Sequence, residues 1–457
     1  MTTPIFTRIM TDTEFGRYSI YNSWSTIISV FATLSVFGNC HIRGLVAGDN
    51  SLGQQKYTAS LQGLLTTCVA LVFGIYFIFR DTVNRFTGLN TYLFALMFID
   101  MLFVSTYQFW LNEKRVRYDC KGLVAITVSY SVLRPVVAII AVMSASQSTQ
   151  VEARISAVLA VNIFLFSGIY FSIFIKGKIF FEKESWKYAL TFCIPLIPHY
   201  LSKIILNESD RIMIGRFCGS APAAHYTIAY TIAGIMTIFI SAVAKSLDPW
   251  IYQSIKDKNL SQIGSVSYRI AFVIAAMNAL VMVIAPEVLQ IMAPPSYAES
   301  LAVIPPVTAS VFFIFLDDLF ASFQLYFKKT RWIAIASCGG AALNIVLNAI
   351  FIPRFGYAAA GYTTLFSYAV FGVLHFFFMR KVCKMYMDGY KVYDWKIIFG
   401  IGGVMILLSG TMLFLYDYVL PRYLILAVML VCLFVFRKRI IMLFNAIQKK
   451  SKDDEIR

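Results

Sequence analysis

Charge is what this 457-residue sequence has least of: Asp, Glu, Lys and Arg together supply only 14% of it. A soluble globular domain carries about a quarter, so that class is excluded at once. The eight cysteines (Cys40, Cys68, Cys120, Cys193, Cys218, Cys338, Cys383, Cys432) include no CxxC pair, and the four histidines share no spacing. Neither a zinc site nor a disulfide framework is indicated, so no metal or cofactor is expected. There is no Walker A loop, no HExxH and no loop long enough to house an ATPase domain. The first 17 residues contain Arg8, Asp12, Glu14 and Arg17 and no apolar h-region, so they do not read as a cleavable signal.

What is abundant is apolar surface. Hydrophobic residues make up 59% and aromatics 16%, and the mean hydropathy is +0.70. Runs of about 20 apolar residues recur from end to end, the length that crosses a ~30 Å hydrocarbon core. Segments of ~10 residues with alternating polarity, the mark of a membrane β-barrel, do not appear. The fold class is all-α and polytopic. Thirteen spans are expected, near 19–38, 57–79, 90–110, 122–143, 155–175, 187–207, 223–246, 267–286, 301–327, 332–352, 356–379, 397–416 and 420–436.

Basic residues alternate between the connections. One set holds Lys114, Arg115, Arg117 and Lys121, then Lys176 to Lys187, Lys256 to Arg269, Lys328 to Arg331 and Arg380 to Lys391, and ends in a tail beginning Arg437, Lys438, Arg439. The other set is nearly bare; 144–154 has only Arg154, and 287–300 has no basic residue. The positive-inside rule makes the first set and the C-terminus cytoplasmic. The net charge of +16 is accounted for by those loops, and nucleic acid is not an expected partner.

The stretch PLIPHYLSKIILNESDRIMIGRFCGSAPAAHYTIAY (195–230) has a fainter echo at the N-terminus. An ungapped offset of 208 residues carries Arg8 onto Arg216, Tyr18 onto Tyr226 and Ile20 onto Ile228. Asn22, Thr26, Ser29 and Thr33 form one helical stripe, and Tyr230, Gly234, Thr237 and Ser241 are their small or polar counterparts. Such stripes either pack helices together or line a cavity. Both imply a duplicated chain: a lobe over 1–180, a second over 181–385, and an added helix pair with a basic cytoplasmic tail over 386–457. The counterpart of span 187–207 would precede Met1, so the first lobe is expected to lack its first helix.

Charges at membrane depth need partners or water. Asp100 and Arg134 fall at similar depth on neighbouring spans, either as an ion pair or with Arg134 turned into a polar cavity alongside Thr127 and Ser131. Asp317 and Asp318 sit in the middle of 301–327, with Ser310 and Gln324 on the stripe of Asp317 and Ser322 beside Asp318. They either bind a coupling proton or cation or pair with a base on another helix. Lys203 lies deep in 187–207, and Glu208, Asp210, Arg211 and Arg216 follow, as an ordinary solvated loop or as part of a site. Pro195 and Pro198, and Pro305 and Pro306, would interrupt the two spans that hold these charges, as in transporter sites.

The runs IPLIPHYLSKIILNESDRIMIG and HYTIAYTIA resemble the start of the second half of polysaccharide-transport flippases, the Wzx-type members of the multidrug/oligosaccharidyl-lipid/polysaccharide exporter superfamily. PIFTRIMTDTEFGRYSIYNS is similar to their first-half signature, and ALNIVLNAIFIPRFGYAAAGYTTLFSY to a later helix–turn–helix, with Asn344, Asn348, Gly356 and Gly361 in place. The resemblance implies two lobes in an inverted V around a central cavity, a site in the bacterial cytoplasmic (inner) membrane, and no enzymatic activity. It further implies translocation of undecaprenyl-pyrophosphate-linked oligosaccharide for O-antigen, capsule or exopolysaccharide. Partners would be the lipid-linked oligosaccharide, membrane lipid, and the polymerase and chain-length proteins of the pathway. For so anionic a substrate, Arg8, Arg134, Lys203, Arg211, Arg216 and Lys245 are the candidate contacts. A cation-coupled drug or metabolite antiporter, with Asp317 and Asp318 as its cation site, is the alternative. A membrane glycan polymerase or ligase ranks below it, because 144–154, 208–222 and 287–300 are short and hold no acid/base constellation.

Overall fold

The computed structural model describes residues 2–47, 51–432, 434, 435 and 437, and the described residues are helical with no strand. The basic tail expected at the C-terminus lies mostly outside them. The chain divides into two compact units, Met1–Ile212 and Met213–Arg457.

The first unit begins with α1 (Thr3–Ile9), α2 (Asp12–Thr33) and α3 (Val36–Ala47). Thr11 caps α2 by accepting from the Glu14 amide, the first half of a capping box. Between α2 and α3 Leu34 and Ser35 both adopt left-handed backbone, with φ of 49° and 47°, and the helix breaks there. Next come α4 (Ser51–Ile78), the short α5 (Arg80–Thr87), α6 (Thr91–Val116), α7 (Cys120–Ser144) and α8 (Gln150–Gly177). Helix α8 packs on α7, α6 and α4. Its approach to α4 depends on Gly177, where an added Cβ would lie 2.3 Å from Ala59 and 2.8 Å from the Gln55 carbonyl. In lipid such close contact, rather than hydrophobic transfer, is what attracts helices. Helices α9 (Lys183–Cys193) and α10 (Ile197–Phe217) follow, separated by a 3₁₀ turn at Ile194–Leu196 that contains Pro195, with a bend of 52°.

The second unit holds α11 (Ser220–Lys256), α12 (Leu260–Val283), α13 (Ala285–Met292), α14 (Ile304–Tyr326), α15 (Thr330–Phe355), α16 (Ala358–Tyr386), α17 (Trp395–Leu415) and α18 (Val419–Cys432). Helix α14 is its axis, packed by α16, α11, α17 and α12, and Phe312, Phe315, Phe320 and Phe323 on it are fully buried. Gly361 lets α16 approach: a Cβ there would lie 3.1 Å from Pro306 and 3.2 Å from Val303.

Among the described residues ten helices are long and apolar enough to cross a membrane, eleven if the bent α9–α10 pair counts as one, so this is a multi-pass membrane protein. The count of thirteen is not reached among them. The first expected span is divided at Leu34–Ser35, and the last, 420–436, is described as α18 up to Cys432 and lies partly outside the described residues. Pro305 and Pro306 also depart from expectation: they occupy the first turn of α14, where a missing N–H costs nothing, and do not interrupt it.

Candidate functional site

One group of polar side chains in the first unit is shared by α2, α6, α7 and α8. Asp100 lies nine residues into α6 and accepts a hydrogen bond from Asn162 of α8 at 2.6 Å. Asn162 is itself fully buried, and its Oδ1 has no partner among the described residues. Arg134 of α7 is half-buried, with its guanidinium 5.5 Å from the centre of the Tyr130 ring. It lies within electrostatic reach of Asp100 and Arg154 but makes no ion pair with Asp100. Tyr21 on α2 also feels the Asp100 charge. Four helices thus bring two guanidiniums, one carboxylate, an amide and two phenols into one part of the first unit.

The two arginines stand differently. Arg154 is buried, its guanidinium sandwiched 3.6 Å from the Phe6 ring centre and 3.5 Å from that of Tyr18. With both faces covered, this cation fixes α1 and α2 to the start of α8. Its neighbours share the task. Gln150 accepts from the Thr11 amide at 3.1 Å and donates to the Ile9 carbonyl at 2.9 Å, pairing both backbone groups where α1 meets α2. Glu14 accepts from the Val151 amide at the N-terminus of α8, and Arg17 bridges Glu14 and Glu152 at 2.7 and 3.0 Å. Arg134, still partly open, is the member that can meet a ligand.

In the second unit two adjacent carboxylates lie on α14. Asp317 on α14 is 5% exposed and faces α16 at Gly372, where a Cβ would come within 3.5 Å of its Oδ1. Asp318 is half-buried. Ser322 donates to the Asp248 carboxylate of α11 at 2.6 Å and to the Asp318 main-chain carbonyl at 2.9 Å, so the expected Asp318–Ser322 side-chain pairing is replaced. Gln324 bonds His375, and Asn344, Asn348, Thr363 and Thr364 form a buried network between α15 and α16.

The remaining predicted cations lie on α1, α10 and α11. Arg8 is exposed and donates to the Pro4 carbonyl at 2.7 Å; Arg211 is buried and pairs with Glu208 at 2.8 Å, which also accepts from Ser23. Lys203, Arg216 and Lys245 are exposed on α10 and α11. Along the stripes, Thr26, Ser29 and Thr33, and Thr237 and Ser241, donate to carbonyls three or four residues back in their own helices. Asn22 is exposed, and the Tyr230 ring lies 6.0 Å from that of Tyr226, tilted by 35°. Sequence reasoning missed Arg154, which read as the lone cation of an external connection, and Asp248. It also passed over Asn162, although a polar residue within AVLAVNIFLF carries the same burial cost that singled out the charges.

Residues 1–255 match the family described as polysaccharide biosynthesis protein. Lsg locus protein 1 of Haemophilus influenzae is 29% identical over 157 residues, 32% of this chain and 38% of that protein, so the match spans well under half of the relative. Among solved structures, the lipid II flippase MurJ in an inward closed conformation aligns with a TM-score of 0.67 at 13% identity, over 96% of this chain and 98% of that one. An inward-facing multidrug resistance MATE transporter of the MOP superfamily aligns with a TM-score of 0.60 at 14% identity, over 85% and 98%. At these identities the likeness establishes the fold, a two-lobed helical architecture.

Proposed function

The chain belongs to the polysaccharide biosynthesis protein family, and from that premise we propose that it is a flippase for undecaprenyl-pyrophosphate-linked oligosaccharide in a bacterial cytoplasmic membrane. The observation that supports the reading is the coincidence of the family match with the half-buried Arg134: residues 1–255 include the whole of the first unit, with Asp100, Tyr130, Arg134 and Asn162. A pyrophosphate carries charge that a low-dielectric site must meet with cations, and the planar fork of Arg134 suits it better than a lysine. Asp100 and Asn162 keep the site from being uniformly positive, which favours release on the far side. The phenols offer hydroxyls and ring faces to sugars, while the lipid tail stays in the bilayer. Alternation is a rocking of one lobe against the other around a central cavity, with the basic connections and the C-terminus in the cytoplasm.

The test is complementation of a strain that lacks any other flippase for its surface glycan. The native chain restores the glycan, and Arg134→Gln does not at equal abundance. The antiporter alternative, with Asp317 and Asp318 as a cation site, predicts instead drug efflux that depends on those carboxylates and a glycan that Arg134→Gln leaves unchanged. That outcome would replace the flippase reading.

A further inference from the structure

Between α4, α6 and α8 of the first unit lies a groove of about 220 Å³ that the flippase reading does not use. Its lining is of mixed character. Glu113 and Lys176 supply one charge of each sign, Gln55 and Ser172 supply hydrogen-bonding groups, and Trp110 supplies an indole. These residues sit beside the basic connections, at the level where tryptophans anchor a helix in the interface. Arg117 takes one Glu113 oxygen at 2.8 Å, so the other is what the groove can present, and Lys176 is exposed at its rim. The groove opens past Gly168, where an added Cβ would meet nothing within 4 Å.

We propose that this groove binds the headgroup of an aminophospholipid, a phosphatidylethanolamine, from the leaflet on the side of the basic connections. The charges match group by group. The lipid phosphate pairs with Lys176 and accepts from Gln55 and Ser172, and the primary ammonium donates to Glu113 beside the Trp110 ring. A phosphatidylglycerol has no cation for Glu113, and the quaternary ammonium of phosphatidylcholine has no N–H to give it. The lipid's acyl chains run out past Gly168 into the bilayer.

The test is native mass spectrometry of the full chain released from detergent after exchange into equimolar phosphatidylethanolamine, phosphatidylglycerol and phosphatidylcholine. One phosphatidylethanolamine is expected to stay bound at least fivefold in excess of either other lipid. Glu113→Gln and Lys176→Gln should each abolish that preference. Gly168→Phe, which has open space to enter, should lower retention at least fivefold without loss of folded protein. Equal retention of the three lipids, a preference for phosphatidylglycerol, or an unchanged preference in all three variants overturns the assignment. So does displacement by free O-phosphoethanolamine at the lipid's own concentration, which would make the ligand a soluble amine-phosphate.

Discussion

The two units share a scaffold and differ in chemistry. The 208-residue offset carries Asp12, the first residue of α2, onto Ser220, the first of α11, and Gln150, the first of α8, onto Ala358, the first of α16. The ends of α1 and α10 coincide in the same way. The charges do not follow. Position 134 is Arg in the first unit and Ala342 in the second; Asp100 answers to Thr308, Arg154 to Tyr362, and Asp248 and Asp317 to Cys40 and Phe109. The first unit therefore holds Asp100, Arg134 and Arg154 where the second has neutral residues, and the second holds Asp248 and Asp317 where the first has neutral ones. A duplicated backbone constrains where helices start and cross, through capping and close packing. It leaves single side chains free to diverge, and that asymmetry is what a transporter for an anionic substrate requires.

The sharpest way to break the comparison is to move the asymmetry. With Arg134→Gln, glycan export in the complementation assay should fall by roughly 10- to 100-fold, the equivalent of losing a charge-assisted contact of about 1.5–3 kcal/mol. Arg134→Lys keeps the charge but not the fork and should fall between. Asp317→Asn in the second unit should have a smaller effect on the same readout. If the order were reversed, the first unit would not be the one that meets the substrate.

A smaller effect is expected at the clamp that the first unit has and the second lacks. Arg154→Gln removes a desolvated cation–π sandwich worth about 2 kcal/mol, and Gln150→Ala leaves the Thr11 amide and the Ile9 carbonyl without their side-chain partner. Hydrogen exchange of α1 amides should accelerate about 30-fold in the arginine variant. Tyr362→Phe, at the corresponding position of the second unit, should leave exchange there unchanged. Equal acceleration in both units would mean that the clamp is not a distinguishing feature.

Much of this was legible beforehand, for reasons that can be named. Apolar length found the spans because the hydrocarbon core sets it, and the 208-residue offset carries helix starts onto helix starts even where capping and close-packing residues differ, Thr11 answering to Gly219 and Gly361 to Ala153. The break at Leu34–Ser35 was not legible, since neither residue type advertises a left-handed backbone. Arg134 could be singled out by its cost in lipid. Its partners could not, because Asn162 and Arg154 reach the cluster only through the crossing of α6, α7 and α8. Arg8 and Arg216, paired by the repeat, are both exposed.

Next in size is a pH effect confined to the second unit. Arg422 on α18 forks onto Glu287 at 2.6 and 2.7 Å and also reaches the Val283 carbonyl, while Tyr423 donates to the same carboxylate. Burial pushes the Glu287 carboxyl up, but the hydrogen bonds from Arg422 and Tyr423 outweigh it and hold the group below its ordinary value. Its stabilisation is therefore complete above the unfolded-state value and is lost as pH falls through the lowered folded one. The carboxylate is partly exposed, so the contribution is about 1 kcal/mol after screening. Thermal unfolding in detergent should show the native protein losing stability across the acid range more steeply than Glu287→Gln, with the two curves meeting at low pH. Parallel curves would show that the α18 anchor is not ionic.

The smallest effect is expected where the units are most alike, along their paired hydroxyl stripes. Thr26, Ser29 and Thr33 on α2, and Thr237 and Ser241 on α11, each commit the hydroxyl proton to a carbonyl of the same helix at 2.6–2.8 Å. A hydroxyl so engaged can only accept from a ligand, and an anionic pyrophosphate has no proton to offer it. Removing the groups also frees no buried donor, because the donor leaves with them. Thr26→Val with Ser29→Ala, and Thr237→Val with Ser241→Ala, should therefore each change glycan export by less than about twofold. A sugar hydroxyl can still donate to these oxygens. A tenfold loss in one pair alone would accordingly place the sugar on that helix and extend the asymmetry of the charges to the neutral faces.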